Sequence, residues 1–326
     1  MVVAISSPGL KPVGRFGLAG ACLFVSVALT GCTPAAVASH QPRHHAAAPP
    51  STTGSTTSST TSTMPVTTTT IDQSGWNVLG TDQSGIALDE RTIVGPSGAQ
   101  VTLVRFRRGT VRFALHVGSS DPPTGSAPVP PGAGSSISAA EAPLLLAAFN
   151  GGFKIATDVG GFEVDGETLS PLVPGMASLV IDANGMATIG VWGQSEPKTG
   201  ESVVSVRQNL PPLILQDTIS PQIADIAAWG ATIGPAAVAR SALGEDLAGD
   251  LIYAASASAL PIDLATALLD AGAVTAMQLD INPDWVQLDA APDPGGPLSA
   301  IIPGQYPPAD QYQRGWTRDF ITVLAA

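Results

Sequence analysis

Short apolar runs joined by turn dipeptides constrain the fold of this chain more than any other feature. Asp165-Gly166 and Asn184-Gly185 each lie between two such runs, and these dipeptides favour the left-handed backbone of tight β-hairpin turns. The segment 99–118 also contains two apolar runs, split by "RRGT", which is a further hairpin signal. The pattern predicts a chain rich in antiparallel β-structure.

A helix is predicted between two strands in the second half of the chain. Residues 260–272 carry Pro261 near the start, leucines along one side and Gly272 just past the end, which is the usual punctuation of a helix. Apolar runs at 237–256 and 273–281 flank it, so the order resembles a βαβ unit. Asp280 would then lie at the C-terminal end of a strand that follows a helix, which is where ligand crevices form in open α/β sheets. The expected fold class is α+β, a single domain with a mixed, largely antiparallel central sheet and flanking helices.

The N-terminal residues 1–31 are predicted to be a signal peptide. Lys11 and Arg15 precede an apolar core at 16–30, in the order that secretory signals use. The core ends in Leu-Thr-Gly-Cys at Cys32, which resembles the lipobox of bacterial lipoproteins. An ordinary signal peptide that happens to end in cysteine is the alternative. We therefore expect lipidation at Cys32 and a lipid-anchored protein on the extracytoplasmic face of the cell membrane.

Residues 32–71 are predicted to form a disordered tether, and the folded domain is expected over residues 72–326. The tether is rich in Ser, Thr and Pro, and such a tract cannot bury enough apolar surface to order itself. It contains three neighbouring histidines, His40, His44 and His45. Solvated side chains are favoured over a metal site there, because a disordered tract offers no rigid second shell.

Composition excludes several classes of function. The chain has 26 acidic and 14 basic residues, a formal net charge of -12, and its basic cluster at 105–109 is too short to predict a nucleic-acid partner. The two cysteines, Cys22 and Cys32, precede the expected domain, which excludes a thiol nucleophile or cysteine zinc site in it. His116, the only histidine of that domain, lies in an apolar run. An enzyme of this composition would use carboxylates as acids and bases and arginine for anions.

A glycine pair follows the short, continuously apolar run 144–149, which is typical of a strand buried on both faces. Gly151 and Gly152 allow close approach of backbone to a ligand. Asn150, just before them, offers both a donor and an acceptor. A plain tight turn is the alternative interpretation.

Four motifs then occur in a fixed order: "AAFNGGF" at 147–153, "GFEVDGE" at 161–167, "RSALG" at 240–244 and "GAVTAMQLD" at 272–280. Together they resemble the phosphodiester glycosidase domain family, over about residues 90–326. The resemblance implies hydrolysis of a sugar C1–O–phosphate bond, with a sugar-phosphate or glycan of the cell envelope as substrate and no cofactor.

The same resemblance implies roles for the matching residues. Arg240 would clamp the phosphate through a bidentate contact. Asp280 would be the nucleophile or the general base at the oxocarbenium-like centre. Asn150 and the backbone of Gly151 and Gly152 would bind sugar hydroxyls or phosphate oxygens. For Arg240, a purely structural ion pair with Asp280 or another acid is the alternative.

Further substrate contacts are expected from Phe153, which completes the glycine motif, and from residues near the second carboxylate. Trp285 would stack on a sugar face, or else belong to the core. Asp284 or Glu163 would supply a second carboxylate, although Asp284 after a proline is also a common turn residue. The segment 314–320 is interpreted first as a structural closing element and next as a second anion contact.

After Asp280 the chain departs from the family pattern. Family members commonly continue as Leu-Asp-Gly-Gly-Gly-Ser, whereas this chain continues with Ile281, Asn282, Pro283 and Asp284. The departure motivates an alternative function, a non-catalytic lipoprotein that keeps the fold and binds envelope glycan or protein. A further alternative is Ca²⁺ held by Asp280, Asp284 and nearby carbonyls.

Overall fold

The structure is a computed structural model that describes residues 75–124, 127–157, 159–231 and 234–326. The predicted signal peptide, the lipidation site Cys32, the tether and its histidines lie outside the described residues. The described residues belong to one compact unit.

Three sheets with antiparallel strand pairing make up the described part of the chain. Strands are numbered in chain order. Sheet I has eight strands, in the spatial order β1 (Asn77–Asp82), β2 (Gly85–Val94), β3 (Gln100–Phe106), β14 (Leu251–Ala259), β13 (Val238–Asp246), β15 (Ala273–Ile281), β11 (Ile214–Leu215) and β12 (Thr218–Ile219).

The other two sheets have five strands each. Sheet II has the order β7 (Glu167–Ser170), β6 (Phe162–Val164), β10 (Val203–Gln208), β8 (Ala177–Asp182) and β9 (Ala187–Val191). Sheet III has the order β17 (Ser299–Ala300), β16 (Leu288–Ala290), β5 (Leu145–Asn150), β18 (Phe320–Ala325) and β4 (Val111–His116).

Helices contribute little to the described residues. The α-helices are α1 (Pro261–Asp270) and the single turn α2 (Gln311–Arg314), and the 3₁₀ helices are Ala142–Leu144, Ile155–Thr157 and Ile226–Trp229. The expectation of a largely antiparallel β-structure is confirmed. The expected central sheet with flanking helices is found only in part, because the strands divide among three sheets. Helix α1 packs on a face of sheet I, and Tyr312 of the short α2 packs against Ala148 and Phe320 of sheet III.

The central strands of sheet I are buried on both faces, and their alternating side chains separate two cores. Leu103 and Ile252 point towards α1 and pack with Leu264 and Leu268 of that helix. Their neighbours Val104 and Tyr253 point the other way, into a core shared with sheets II and III. The period of two in an extended strand explains this division.

The strand–helix–strand prediction is confirmed in the region that matters for the site. β14 and β15 both pair antiparallel with β13, which lies between them, so β14 and β15 run in the same direction and α1 connects them. Gly272, with φ of 97°, follows the helix end. The arrangement leaves the C-terminal end of β15, with Asp280, at an edge where all three sheets approach one another.

The predicted hairpin within 99–118 was wrong. β3 pairs with β2 and β14 of sheet I, whereas β4 pairs with β18 of sheet III. Arg107 bonds Asp89 through its guanidinium, and the Arg108 N–H donates to Asp250. These contacts fix the connection as a crossing between sheets. The hairpins at Asp165-Gly166 and Asn184-Gly185 are confirmed as the pairs β6–β7 and β8–β9.

Candidate active site

A cavity of about 410 Å³ lies at the C-terminal end of β15. Its described lining residues come from five separate segments of the chain: Phe153, Lys154, Thr157, Val159, Leu210, Ala227, Ala228, Gly230, Asp280, Ile281, Trp285 and Arg318. Among them Asp280 is the one carboxylate, and Lys154 and Arg318 are the cations. The expectation that a crevice forms where β15 ends is therefore confirmed.

Asp280 is a buried carboxylate with defined partners. Its Oδ1 accepts a hydrogen bond from the Ile281 N–H at 2.7 Å, and its Oδ2 lies 2.8 Å from Nη2 of Arg318. Burial raises the pKa of Asp280 to about 7, because desolvation outweighs the opposing effect of Arg318. A carboxylate with this pKa takes up and releases a proton near neutral pH, as a general base or acid must.

Arg318 is buried between the cavity and two acidic groups. Its Nη2 also donates to the Gly152 carbonyl at 2.8 Å, and its Nε lies 3.4 Å from Oδ2 of Asp121. The guanidinium lies 5.0 Å from the centroid of the Trp285 ring, within the range of a cation–π contact. Arg318 is thus the guanidinium that the structure places in the cavity.

A second buried ion pair lies beside the first. Arg207 on β10 donates through Nε to Oδ2 of Asp319 at 2.7 Å, and both side chains are fully buried. The Gly152 N–H also points to Asp319, at 3.3 Å. This pair joins sheet II to the start of β18 in sheet III, and the adjacent Arg318–Asp280 pair joins β18 to sheet I.

Asp121 adds a third buried acid to these two arginines. Burial and then Asp319 raise the pKa of Asp121, while Arg318 and Arg207 oppose the shift. Three carboxylates against two guanidiniums leave one negative charge in excess when all are ionised. A proton held within the group relieves that excess, which agrees with the raised pKa of Asp280.

The glycine pair brings the strand ends together. The Gly151 carbonyl accepts from the Asp280 N–H at 3.2 Å, and the Gly151 N–H donates to the Asp319 carbonyl at 3.0 Å. A Cβ on Gly151 would lie 1.8 Å from Oδ2 of Asp319, so no other residue fits without displacing the ion pair. The sequence predicted that Gly151 and Gly152 allow the backbone to approach a ligand closely. In the structure, their backbone approaches the carboxylate of Asp319, a side chain of the protein itself.

Asn150 lies in the scaffold beneath the cavity and is not among its described lining residues. Its Nδ2 donates to the Gly151 carbonyl at 2.8 Å and to Oγ of Ser241 at 2.9 Å. Its Oδ1 accepts from the Tyr253 hydroxyl at 2.7 Å and from the Gln287 N–H at 3.2 Å. With both ends of its amide engaged and the side chain buried, Asn150 fixes the carbonyl that in turn receives the Asp280 N–H.

Arg240 lies behind one wall of the cavity and is not among its described lining residues. Its Nε donates to the Ala259 carbonyl, and its Nη1 donates to the Trp229 carbonyl at 2.8 Å and to Oε1 of Gln278 at 3.0 Å. Burial lowers the pKa of Arg240 to about 10. The Arg240 guanidinium donates to backbone carbonyl oxygens and to one side-chain amide oxygen. The arginine that pairs with Asp280 is Arg318, not Arg240.

The loop after Asp280 keeps an unusual backbone without glycine. Asn282 has φ of 107°, in the region that favours glycine and tolerates Asn better than most residues. Its side chain accepts from the Asp284 N–H at 2.9 Å, and its carbonyl accepts from the Trp285 N–H at 3.0 Å. This turn exposes Asp284 and directs the half-buried Trp285 into the cavity.

The remaining predicted contacts divide between cavity and surface. Phe153 and Trp285 line the cavity. Glu163 lies on β6 and accepts from the Thr168 hydroxyl at 2.9 Å, so it belongs to the surface of sheet II. Asp284 is exposed on the turn, outside the described lining. Within the described residues there is no group of three or more His, Cys, Asp or Glu that could hold a metal ion.

Two residues of the candidate site were not predicted from the sequence. Arg207 and Asp121 carry no local motif, and they reach the site only because β10 and the 119–124 loop fold against β18. Arg318 does carry a signal, since it precedes a terminal strand next to an acid.

No described helix has the length and apolarity to cross a membrane.

Comparison with known proteins gives structural similarity at low sequence identity. No known family profile matches the chain, and no curated protein matches it significantly. The chain resembles the catalytic domain of zebrafish N-acetylglucosamine-1-phosphodiester alpha-N-acetylglucosaminidase, auto-inhibited by its pro-peptide, with 16% identity, a TM-score of 0.47, and coverage of 77% of this chain and 87% of that chain.

Two bacterial structures are similar at the same level. A hypothetical protein from Synechocystis shares 15% identity with a TM-score of 0.43, over 73% of this chain and 62% of that chain. A Burkholderia pseudomallei protein thought to be exported shares 14% identity with a TM-score of 0.42, over 69% of this chain and 74% of that one.

Proposed function

We propose that this protein is a hydrolase that cleaves the C1–O–phosphate bond of a sugar 1-phosphodiester in cell-envelope glycans. The observation that carries the proposal is the buried Asp280–Arg318 pair at the cavity wall. A carboxylate whose pKa is about 7 and a guanidinium in contact with it supply the base and the anion partner that this reaction needs.

In the proposed reaction, the oxygen of water bonds to the sugar C1 while the bond from C1 to the phosphate oxygen breaks. Asp280 accepts one proton of the water, and the products are a reducing sugar and a phosphate monoester. The phosphate leaves as an anion stabilised by Arg318, so a strong general acid is not required. A single displacement of this kind inverts the anomeric configuration.

Arg240 and Asn150 act as positioning residues in this proposal. Asn150 holds the Gly151 carbonyl that bonds the Asp280 N–H. Arg240 holds the Trp229 carbonyl, next to Gly230 of the cavity wall. The predicted lipid at Cys32 would keep the domain beside the cell membrane, where envelope glycans are accessible to it.

The test is a panel of sugar 1-phosphodiesters incubated with the purified domain and followed by proton and phosphorus NMR. We expect a reducing sugar in the inverted configuration together with a phosphate monoester. Release of a sugar phosphate and an alcohol would indicate cleavage of the other ester bond and contradict the proposed reaction. No turnover of any member would remove the enzyme assignment.

The second candidate is a non-catalytic module that binds envelope glycan or protein. It is favoured by the turn at Asn282–Trp285, which replaces a glycine-rich stretch, and by the engagement of both Asp280 oxygens. Saturable binding of an envelope glycan without any product in the NMR assay would support this candidate.

A further inference from the structure

Much of the cavity lining is an apolar wall, and the proposed reaction does not account for it. Val159, Leu210, Ala228 and Ile281 belong to this wall, whereas Asp280 and Arg318 form the ion pair of the same cavity. A sugar enclosed by such a wall would leave hydroxyl groups without partners, and a buried unpaired hydroxyl is costly. The apolar wall is therefore suited to a different part of the substrate.

The apolar wall is a packed surface with fixed contacts. Gly230 has φ of 88°, and a Cβ there would lie 2.5 Å from the Phe153 ring and 3.1 Å from Cδ1 of Ile281. The Phe153 ring thus packs directly on the Gly230 backbone. Only glycine fits both the backbone conformation and this close approach.

The segment that carries part of the wall is held from behind by hydrogen bonds. The Trp229 carbonyl accepts from Arg240 at 2.8 Å and from Nε2 of Gln278 at 3.1 Å. The Trp229 indole donates to the Gln222 carbonyl at 3.0 Å. Three buried donors therefore fix Ala228 and Gly230 where they face the cavity, which is the construction of a preformed binding surface.

The cations of the cavity lining can bind a phosphodiester next to this wall. Lys154 and Arg318 both line the cavity, and a phosphodiester carries a single negative charge that either cation can contact. With the phosphate at Arg318 and the sugar C1 at Asp280, the other phosphate substituent extends along the remaining lining. That lining is the apolar wall.

We propose that the second substituent of the phosphodiester is a hydrocarbon chain, so that the substrate class is a glycosyl phosphate ester of an alkyl-type alcohol. This inference rests on the proposed function. Water adds to the sugar C1, the C1–O bond breaks, and the hydrocarbon leaves still bonded to phosphate as a monoester. The predicted membrane anchor would hold the domain where such amphipathic molecules gather.

The test compares glucosyl methyl phosphate with glucosyl octyl phosphate as substrates for the wild-type protein. At about 0.8 kcal/mol for each buried methylene, burial of three or four methylenes corresponds to about a 50- to 200-fold higher kcat/KM for the octyl ester. Equal kcat/KM values for the two esters would overturn the inference.

A binding measurement separates this inference from the proposed function. Titration calorimetry with octyl phosphate and methyl phosphate needs no turnover, and tighter binding of octyl phosphate by a similar factor is expected. If neither ester is hydrolysed but octyl phosphate binds more tightly, the hydrolase proposal fails and the apolar subsite stands. Equal affinities for octyl phosphate and methyl phosphate would contradict the apolar subsite, even if the phosphodiesters are hydrolysed.

A matched pair of variants locates the subsite. Leu210 has φ of 60°, a conformation that Asn adopts readily, so Leu210→Asn removes apolar surface without a backbone penalty. We expect this variant to reduce the octyl-to-methyl ratio at least 5-fold. Leu247→Asn, at a position that is 91% exposed outside the cavity, should leave the ratio unchanged. A ratio unaffected by Leu210→Asn contradicts the placement.

Discussion

Asp280 and Arg318 lie 2.8 Å apart, Oδ2 to Nη2, although they belong to different sheets. Asp280 is the penultimate residue of β15 in sheet I, and Arg318 lies two residues before the start of β18 in sheet III. The neighbouring Arg207–Asp319 pair ties sheet II to the same point, and Nδ2 of Asn209 donates to the Gln278 carbonyl at 2.7 Å to join sheet II to sheet I. The cavity thus exists only where all three sheets meet.

Replacement of Arg318 should change the pH profile as well as the rate. Arg318 opposes the burial that raises the pKa of Asp280, so Arg318→Met should move the acidic limb of kcat/KM to higher pH. We also expect about a 100-fold loss of kcat/KM, since charge-assisted contacts to charged groups contribute about 1.5–3 kcal/mol. Arg314→Met, at an exposed side chain of α2, is the control and should change neither quantity.

The glycine at position 151 should be irreplaceable for folding. In Gly151→Ala the new Cβ would meet Oδ2 of Asp319 at 1.8 Å, which forces apart the buried Arg207–Asp319 pair. A loss of about 3–5 kcal/mol in the free energy of unfolding is expected. Gly134→Ala places its Cβ where nothing lies within 4 Å and should alter stability by less than about 0.5 kcal/mol. Urea denaturation of both variants compares them, and equal stabilities would contradict the packing described.

Buried acids should make the protein less stable as pH rises from about 4 to 7. Burial raises the pKa of Asp289 to about 7 from its usual 3.8, and likewise that of Asp280. Below about pH 4, Asp280 and Asp289 are protonated in both the folded and the unfolded chain. Between about pH 4 and pH 7 these two carboxyls lose their protons in the unfolded chain but keep them in the folded chain. The free energy of unfolding therefore falls until about pH 7.

Asp289→Asn should remove part of this fall. The expected difference between wild type and variant is on the order of 2–4 kcal/mol between pH 4 and pH 8, from a shift of about three pKa units. Urea denaturation at a series of pH values measures it. A wild-type stability that rises steadily between pH 4 and pH 7 would contradict the assignment.

Glu141 should contribute the opposite pH dependence, at acid pH. Burial opposes its ionisation, but hydrogen bonds from His116 and Ser138 prevail and lower the pKa of Glu141 to about 2 from 4.5. Its Oε1 lies 2.8 Å from Nε2 of His116 and 2.9 Å from the Thr322 hydroxyl. The stabilisation is present above pH 4.5 and is lost as pH falls towards 2.

Glu141→Gln should therefore cost about 1–3 kcal/mol at pH 6, and the difference should shrink as the pH approaches 2. Thermal unfolding at pH 2.5, 4 and 6 gives the comparison. A cost that is the same at all three pH values would show that the charge of Glu141 is not what stabilises the fold.

Much of the fold was predictable because the relevant signals are local. The hairpins β6–β7 and β8–β9, helix α1 and strand β15 follow from turn dipeptides, a proline, a glycine and the spacing of apolar residues. The placement of Asp280 at a strand end beside a crevice follows from the same reasoning. The crossing from β3 to β4 was not predictable, since the choice of partner strand depends on contacts far away in the sequence.

The ion-pair partner of Asp280 could not be predicted from the sequence. Arg240 and Ser241 are adjacent on β13, and alternation sends them to opposite faces of sheet I. Ser241 meets Asn150, whereas Arg240 points behind the Trp229 segment. Sequence alone does not tell which face a given residue takes when both faces are buried. Arg318 reaches Asp280 from another sheet, a pairing that only tertiary structure reveals.

The most direct test of the central claim is the release of reducing sugar from a sugar 1-phosphodiester by wild type, Asp280→Asn and Asp289→Asn. Asp289 is the matched control, because it is also a buried acid with a raised pKa but lies outside the described cavity lining. We expect turnover by wild type whose kcat/KM rises with pH through about 7. Asp280→Asn should lower kcat/KM by about 10²–10⁴-fold, and Asp289→Asn should change it by less than about 5-fold. Equal turnover by wild type and Asp280→Asn would contradict the claim that this carboxylate carries the reaction.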